Sequence, residues 1–368
     1  MVRGWVASQD GRHHGAQYAE AARALGARPD GFLDFSANIN PLGPPAAALA
    51  AAAEALRAEI GNYPDLHYRE LRAALASHLE VSPGTVLPTN GGAEALFLST
   101  RVAAEESGRK KALILEPTFS EYAAAARAAG LEAVRVVARR PASNFHLDLA
   151  ALDRALEDSH DVGLVFLCNP NNPTGDAVSR REVLRVARRV REAGAVLVVD
   201  EAFADFAPHL SIASEVDDAI FVARSFTKFF AIPGLRLGCL VASDVGRVRT
   251  FQPSWPVNAV AAAAGIAAAQ EPAFARATLA EVALGRRELL RALGELPGIT
   301  PYPGAANFLL VRGPQGLPEE LAKRGILVRG CEPFHGLGPG FFRVAVRRAK
   351  ENEQLVQTLQ DVLLKETP

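Results

Sequence analysis

The chain has few cysteines, no excess of charge and no long apolar run, and each absence excludes a class of protein. Its 368 residues include three cysteines, Cys168, Cys239 and Cys331, none in a CxxC pair, so we expect neither a disulfide framework nor a metal site. The formal net charge is -1, without long runs of one sign, so no surface for nucleic acid or a membrane is expected. A small-molecule partner is therefore expected.

The sequence also lacks the segments that would direct it out of the cytoplasm. No stretch reaches the roughly 20 apolar residues of a membrane span. The first residues, MVRGWVASQDGRHHG, have no apolar core of a secretory signal. We therefore expect a cytoplasmic protein.

Apolar runs alternate with amphipathic stretches, a pattern typical of a parallel sheet covered by helices on both faces. This predicts an α/β fold, with a three-layer, mostly parallel sheet in a large domain and a smaller α+β domain. We predict an N-terminal arm with part of the small domain at residues 1–47, the large domain at 48–255 and the small C-terminal domain at 256–368.

The clearest unit is a predicted strand–helix–strand crossover. Residues 162–168 and 195–200 form apolar runs that predict buried strands. Between them, Ser179 and Glu182 form a capping box, an apolar stripe follows at helical spacing, and Gly194 suits the end of the helix. A third apolar run, at residues 220–223, predicts the next strand.

Three polar side chains follow these strands, at the edge where open α/β sheets bind ligands. They are Asn172, Asp200 and Lys228. Lysines are usually exposed, but Lys228 is next to several phenylalanines, and partial desolvation would lower its pKa toward Schiff-base chemistry. Asp200 ends an apolar strand and needs a partner there, either an arginine, a helix end or a cationic cofactor ring.

A segment of small residues supplies a candidate phosphate site. Asn90 is followed by Gly91, Gly92 and Ala93 before a helical pattern, so free backbone N–H groups could bind a phosphate, although an ordinary turn is an alternative. The only other glycine-spaced segment, at 336–340, does not lie between a strand and a helix, which argues against nicotinamide or flavin binding. These features together point to pyridoxal 5'-phosphate (PLP).

Nearly the whole chain resembles the fold-type I PLP enzymes, the aspartate aminotransferase superfamily. The resemblance lies in the segments NPNNPTG (169–175), VVDEAF (198–203) and SFTKFFAIPGLRLG (225–238). It implies that Lys228 carries the cofactor, that Asp200 holds the pyridine nitrogen and that Asn172 binds the phenolic oxygen. It also implies a set of phosphate-binding residues: Gly92, Ala93, Ser225, Thr227 and Arg236.

Two tyrosines match aromatic positions of the superfamily. Tyr122, in EPTFSEY, matches the residue that stacks on the pyridine ring. Tyr63, in NYPD, matches the tyrosine that reaches the phosphate bound by a neighbouring subunit. The second match implies a homodimer.

The resemblance is greatest to two groups that act on phosphorylated substrates, the threonine-phosphate decarboxylases of cobalamin biosynthesis and the histidinol-phosphate aminotransferases. It implies that Arg343 binds the substrate carboxylate and Arg329 its phosphate. Other implied substrate contacts are Asn38, Asn172, His14 and Gly15.

The resemblance favours the decarboxylases over the aminotransferases. The features that do so are DFSANINPLGPP (34–45), an early His-Gly pair, SWPVNAVAAAAG (254–265) and RVAVR (343–347). Phe203 also replaces a tyrosine that binds PLP in most of the superfamily. The decarboxylases often have His-Gly-Gly-Asn where this chain has His-Gly-Ala-Gln.

We therefore predict decarboxylation of L-threonine O-3-phosphate, with transamination of histidinol phosphate as the alternative. A PLP-binding regulator is a third possibility. A regulator would carry a DNA-binding domain, and the enzyme-like length of the chain favours catalysis.

Overall fold

A seven-stranded sheet forms the centre of the larger part of the molecule. The structure, a computed structural model, describes residues 23, 26, 28 and 31–365. The strands of all sheets, in chain order, are β1 (Leu33–Asp34), β2 (Val86–Asn90), β3 (Lys111–Glu116), β4 (Glu132–Val137), β5 (Val162–Cys168), β6 (Val196–Asp200), β7 (Ile220–Ser225), β8 (Leu237–Val241), β9 (Thr300–Pro301), β10 (Phe308–Arg312), β11 (Ile326–Leu327), β12 (Arg329–Gly330) and β13 (Phe341–Ala345).

The helices cover both faces of this sheet and continue into the C-terminal part. In chain order they are α1 (Ala46–Ala58), α2 (Arg69–Leu79), α3 (Gly91–Ser107), α4 (Glu121–Ala128), α5 (Leu149–Asp158), α6 (Arg180–Glu192), α7 (Phe226–Phe229), α8 (Val245–Arg249), α9 (Ala259–Ala269), α10 (Pro272–Gly294), α11 (Leu317–Ala322) and α12 (Ala349–Lys365). Among the residues described, no helix is both long and apolar enough to cross a bilayer.

The large sheet has the strand order β2-β8-β7-β6-β5-β3-β4, and only β8 runs against the others. Helices α3, α4 and α8 pack on one face, and α1, α2, α5, α6 and α9 pack on the other. The predicted three-layer, mostly parallel α/β sheet is therefore confirmed.

The predicted crossover forms β5, α6 and β6. Ser179 caps α6 and forms a complete capping box with Glu182, whose backbone N–H donates to the Ser179 hydroxyl. The predicted apolar stripe of α6 is buried against the sheet, and Gly194, with φ +69°, follows the helix. Asp200 is the last residue of β6, Asn172 follows β5, and Lys228 lies in α7 just after β7.

The C-terminal part contains a four-stranded antiparallel sheet in the order β12-β13-β10-β9, and β1 pairs in parallel with β11. A separate apolar core includes Phe35, Leu293, Leu309 and Leu355. Helix α9 packs on α1 and α2, within the core of the large sheet. We therefore propose that the large domain continues into the long helix α10, beyond the predicted boundary at residue 256.

A buried ionic cluster supports the strand that leads to Lys228. Arg224 of β7 donates to Glu201 across 2.7 Å and also to Asp205. His78 lies 3.0 Å from the same Asp205 carboxylate, and the Ser211 hydroxyl donates to Glu201 across 2.6 Å. Burial by itself would raise the pKa of Asp205, but the charge of Arg224 and the contact with His78 outweigh it and lower that pKa.

We predict that Arg224→Met destabilises the protein strongly. Arg224 is 2% exposed, and loss of its guanidinium leaves the carboxylates of Glu201 and Asp205 buried without their cation. Removing one partner of such a buried pair costs about 3–5 kcal/mol. Urea denaturation should show a loss of this size in the free energy of unfolding.

Arg189→Met is the matched control, because Arg189 pairs with Asp153 at 3.6 Å with both side chains partly exposed. Its loss should change the free energy of unfolding by less than about 1 kcal/mol. Equal effects of the two substitutions would contradict the prediction.

Candidate active site

A cavity of about 460 Å³ opens at the carboxyl edge of the large sheet, and residues from both parts of the molecule line it. It brings together most of the residues predicted from the sequence. These are Asn38, Gly92, Ala93, Asn172, Asp200, Ser225, Thr227, Lys228, Arg236, Arg329 and Arg343.

Four predicted residues are not part of this lining. Tyr63 is 78% exposed on the surface, where its ring lies 4.4 Å from that of Trp255. Tyr122 is buried beneath the cavity. His14 and Gly15 lie outside the residues that the structure describes.

Lys228 lies in the short helix α7, and its amine reaches the cavity. The amine donates to the Thr227 hydroxyl across 3.0 Å. Burial lowers the pKa of the Lys228 ammonium to about 8, the charges of Arg236 and Arg343 act in the same direction, and Asp200 opposes them. A substantial fraction of this lysine is therefore neutral near pH 8, as the sequence predicted, and can attack a carbonyl carbon.

Asp200 lies at the base of the cavity, with each carboxylate oxygen hydrogen-bonded. The Ala202 amide donates to Oδ1 across 2.9 Å, and the Tyr122 hydroxyl donates to Oδ2 across 2.7 Å. Burial raises the pKa of the Asp200 carboxyl, and both hydrogen bonds and the charge of Lys228 oppose that rise. A cationic ring nitrogen above Asp200 would be a favourable partner.

The structure corrects the predicted role of Tyr122. Helix α4 begins at Glu121, so Tyr122 points into the core, where it is fully buried and stacks on Phe166 with ring centroids 4.8 Å apart. Phe119, in the loop before α4, lines the cavity instead. Of these two residues, Phe119 is therefore the one whose aromatic side chain can face a bound ring.

The predicted phosphate site lies at the start of α3. Gly91 has φ +75°, and a Cβ atom there would lie 2.7 Å from the Arg236 guanidinium. A Cβ atom on Gly92 would meet Ser225 Cβ at 3.1 Å. The left-handed backbone at Gly91 and the tight contact at Gly92 therefore both favour glycine, which leaves the first N–H groups of the helix accessible beside Arg236.

Strand β8, which packs beneath this turn, also has no room for a side chain at one position. A Cβ atom on Gly238 of β8 would lie 2.4 Å from the Gly91 carbonyl carbon and 2.6 Å from the Gly92 nitrogen. Nearby, the Ser225 and Thr227 hydroxyls are hydrogen-bonded to each other at 2.8 Å, so the hydroxyl that accepts within this pair keeps its own proton to donate to an anion. Helix N–H groups, two hydroxyls and a guanidinium form a cradle that fits a phosphate, and Lys228 and Asp200 fit the ring of PLP.

Arg329 and Arg343 form the opposite, cationic part of the site. They are direct partners across the β12–β13 ladder, and they are 4% and 6% exposed. Arg343 lies over the Phe308 ring at 5.2 Å and Arg329 over the Phe334 ring at 5.7 Å. Burial lowers the pKa of both, that of Arg343 to about 10, so both stay charged near neutral pH.

Hydrogen bonds fix the direction of Arg343. One guanidinium nitrogen donates to the Asn172 side-chain oxygen, and the other donates to the Ser36 carbonyl across 2.9 Å. Because that Asn172 oxygen is engaged, its amide nitrogen is the group that can donate to a ligand. The buried Asn38 side-chain oxygen has no hydrogen-bond partner within the described part of the chain.

Sequence reasoning missed several residues that shape the site. Phe119, Glu121, Ala202 and Phe334 line the cavity. Asn40 lies behind it, where its backbone N–H donates to the Lys228 carbonyl across 3.0 Å. The position of Phe119, three residues after the apolar run that forms β3, could have identified it, whereas Phe334 and Asn40 reach the site only through tertiary packing.

The family model for aminotransferase class I and II matches residues 30–359. A threonine-phosphate decarboxylase of Salmonella typhimurium is 40% identical over 359 residues, which are 95% of this chain and 96% of that protein. A histidinol-phosphate aminotransferase of Methanopyrus kandleri is 32% identical over 372 residues, covering 95% of this chain and 93% of that protein.

Solved crystal structures share this fold. The crystal structure of the histidinol-phosphate aminotransferase from Clostridium acetobutylicum superposes with a TM-score of 0.82 and 29% identity, covering 90% of this chain and 99% of that one. Family model, relatives and fold agree over nearly the whole length. The chain therefore belongs to the aminotransferase class I and II family and is a PLP-dependent enzyme.

Proposed function

We propose that this enzyme decarboxylates L-threonine O-3-phosphate to (R)-1-amino-2-propanol O-2-phosphate and CO2, a step of cobalamin biosynthesis. The pair of buried guanidinium groups, Arg329 and Arg343, is the observation that carries the proposal. The substrate has a carboxylate and a phosphate, so each guanidinium has an anion to bind. Arginine suits both anions because its planar group can donate two parallel hydrogen bonds.

The two arginines would select the reactive orientation of the substrate. Arg343 is fixed by Asn172 and Ser36, so the carboxylate binds in one direction, and Arg329 holds the phosphate at the other end. A preference of ~1.4 kcal/mol between two orientations already biases the reaction tenfold. We propose that this clamp places the carboxylate rather than the Cα hydrogen in the position for bond cleavage.

The residues below the substrate complete the reaction. PLP, when bound, supplies an electron sink for the pair left on Cα. Asp200 would hold the ring nitrogen in its protonated form, and the phosphate cradle at Gly92, Ser225 and Arg236 would hold the cofactor in place. The Lys228 amine, with its pKa lowered to about 8, can hold a proton and deliver it to Cα after CO2 has left.

Phe203 favours decarboxylation over transamination. It lines the cavity and packs edge-on against Phe308 with ring centroids 5.0 Å apart. A phenylalanine cannot donate a hydrogen bond to the phenolic oxygen of PLP, which leaves the Asn172 amide nitrogen as the donor for that oxygen. The higher identity to a decarboxylase than to an aminotransferase agrees with this assignment.

Histidinol-phosphate transamination with 2-oxoglutarate is the second candidate, because the 32% identical relative is named for that activity. Its substrate also carries a phosphate for Arg329. The carboxylates of the second substrate would then be the ligands of Arg343.

We further propose a homodimer. Tyr63 is exposed, and so are the apolar side chains of Leu49, Leu56 and Ile60 in the segment that precedes it in the chain. Burial of these side chains against a second copy would be favourable. Tyr63 would then contact the cofactor phosphate of the partner subunit.

A single-turnover assay should show CO2 release from L-threonine O-3-phosphate. The PLP-loaded enzyme is mixed with this substrate, and in parallel with histidinol phosphate and 2-oxoglutarate. We expect CO2 from the first mixture and no glutamate from the second. Glutamate formation without CO2 would replace the proposed function by the aminotransferase reaction.

Arg329→Gln should weaken substrate binding with little change in the fold. A charge-assisted hydrogen bond contributes roughly 1.5–3 kcal/mol, so the KM for L-threonine O-3-phosphate should rise roughly 10- to 100-fold. Arg312→Gln, at an exposed position on β10 of the same small sheet, is the control and should leave KM unchanged. A similar KM for both variants would remove Arg329 from the substrate site.

Attachment of PLP to the apoenzyme should reflect the lowered pKa of Lys228. Only the neutral amine reacts, so the rate of attachment should rise with pH and level off above about pH 8. The same reaction with N-acetyl-lysine should continue to rise toward roughly pH 10. The measurement is the visible absorbance of the attached cofactor, and Lys228→Ala should show none.

A protein profile that follows the N-acetyl-lysine profile would contradict the burial of this amine. Visible absorbance in Lys228→Ala equal to that of the unaltered enzyme would show that another residue carries the cofactor.

A further inference from the structure

Among the tyrosines that the structure describes, Tyr122 is the one whose hydroxyl contacts Asp200 at the base of the cavity. It is fully buried, its ring stacks on Phe166 at an interplanar angle of 12°, and its hydroxyl lies 2.7 Å from Asp200 Oδ2. The Phe119 ring meets it edge-on, with centroids 5.8 Å apart. Tyr122 therefore supports two walls of the site, Phe119 through its ring and Asp200 through its hydroxyl.

The hydroxyl can act only as a donor to Asp200. Burial raises the pKa of Tyr122 well above its usual value, and the negative charge of Asp200 raises it further. The phenol therefore keeps its proton throughout the working pH range. Since Asp200 Oδ1 accepts from the Ala202 amide, Tyr122 supplies the donor for the other oxygen, Oδ2.

The other groups around Asp200 do not replace this hydrogen bond. The Lys228 charge favours the ionised carboxylate, whereas Glu201 disfavours it. The buried Cys168 thiol lies close by, with its pKa raised by burial to about 12, so it stays neutral. Arg139 acts on Tyr122 and Cys168 from the end of β4, but it pairs with Asp176.

We infer that Tyr122 is a positioning residue whose hydroxyl keeps Asp200 ionised and directed at the ring nitrogen of the cofactor. A buried carboxylate that loses a donor favours its neutral form. A neutral Asp200 cannot hold the ring nitrogen in its protonated state. The inference rests on the proposed function only in that Asp200 is assigned to this nitrogen.

Tyr122→Phe tests the hydroxyl alone, because the aromatic ring that packs on Phe119 and Phe166 is kept. Two properties of the enzyme are measured without substrate: the dissociation constant of PLP, and the pH midpoint of the visible absorbance of the cofactor attached to Lys228. The first reports the strength of the Asp200 contact. The second reports the charge on the ring nitrogen.

We expect the dissociation constant to rise about tenfold, since the lost hydrogen bond is to a charged group. We expect the absorbance midpoint to move to higher pH. A positive ring nitrogen disfavours a second positive charge on the nitrogen that joins Lys228 to the cofactor. When the ring nitrogen loses its proton, the joining nitrogen therefore keeps its own proton to higher pH.

Tyr68→Phe is the matched control. The Tyr68 hydroxyl is also buried, and it donates to the Val257 carbonyl across 2.7 Å, but Tyr68 does not line the cavity. Its loss should lower the resistance to urea by an amount similar to that of Tyr122→Phe. It should change neither the PLP dissociation constant nor the absorbance midpoint.

A double-mutant cycle with Asp200→Asn keeps the test decisive if Tyr122→Phe lowers stability. In the Asp200→Asn background, Tyr122→Phe should cause no further shift of the absorbance midpoint. An additive shift there, or an unchanged midpoint and PLP affinity in Tyr122→Phe alone, would overturn the inference.

Failure of the proposed function would be recognised separately. If the enzyme forms glutamate instead of CO2, decarboxylation is refuted. The two readouts for Tyr122 are taken without substrate, so they hold for either reaction.

Discussion

Burial of charge at the carboxyl edge of the large sheet is the constraint on which the site depends. Asp200, Arg329 and Arg343 are each no more than 6% exposed. Burial raises the pKa of the carboxyl and lowers those of the guanidiniums and of the Lys228 ammonium. The charged forms of Asp200 and Lys228 therefore depend on the hydrogen bonds and charges of their neighbours.

The segment after β1 holds the two parts of this charged site together. The Ser36 carbonyl accepts from Arg343, and the Asn40 N–H donates to the Lys228 carbonyl. The Asn40 side chain also donates to the Phe229 carbonyl across 2.7 Å and to the Thr278 hydroxyl across 2.8 Å. One short segment thus ties Arg343 to Lys228 and to the long helix α10.

Local sequence signals predicted the large sheet well. The strand at residues 162–168 is confirmed at both ends, and the capping box at Ser179 forms as expected. These signals succeed because apolar runs, caps and glycine positions depend on neighbouring residues. The polar residues after β5, β6 and β7 are brought to one edge because parallel strands share their direction.

The structure differs from the predicted role of Tyr122 as the residue that stacks on the cofactor ring, because Tyr122 is buried in the core and does not line the cavity. Tyr122 and Phe119 are three residues apart, and which of them reaches the cavity depends on α4 beginning at Glu121. The pairing of Arg329 with Arg343 depends on the register of two strands of the small sheet, which are distant from the large sheet only in sequence. Neither arrangement can be predicted from a short stretch of sequence. The part of the site with Arg329 and Arg343 could therefore be predicted only from the resemblance to the family.

The charge balance of the cavity connects these contacts to the choice of ligand. Lys228, Arg236, Arg329 and Arg343 line it with Asp200 and Glu121, so cations outnumber carboxylates. Burial makes an excess of cations costly, and a bound dianion relieves that cost. Arg236 lies at one end of the cavity, near the glycine turn, and the paired arginines lie at the other end, on the small sheet. The site therefore suits a phosphate-bearing cofactor at one end and a doubly anionic substrate at the other.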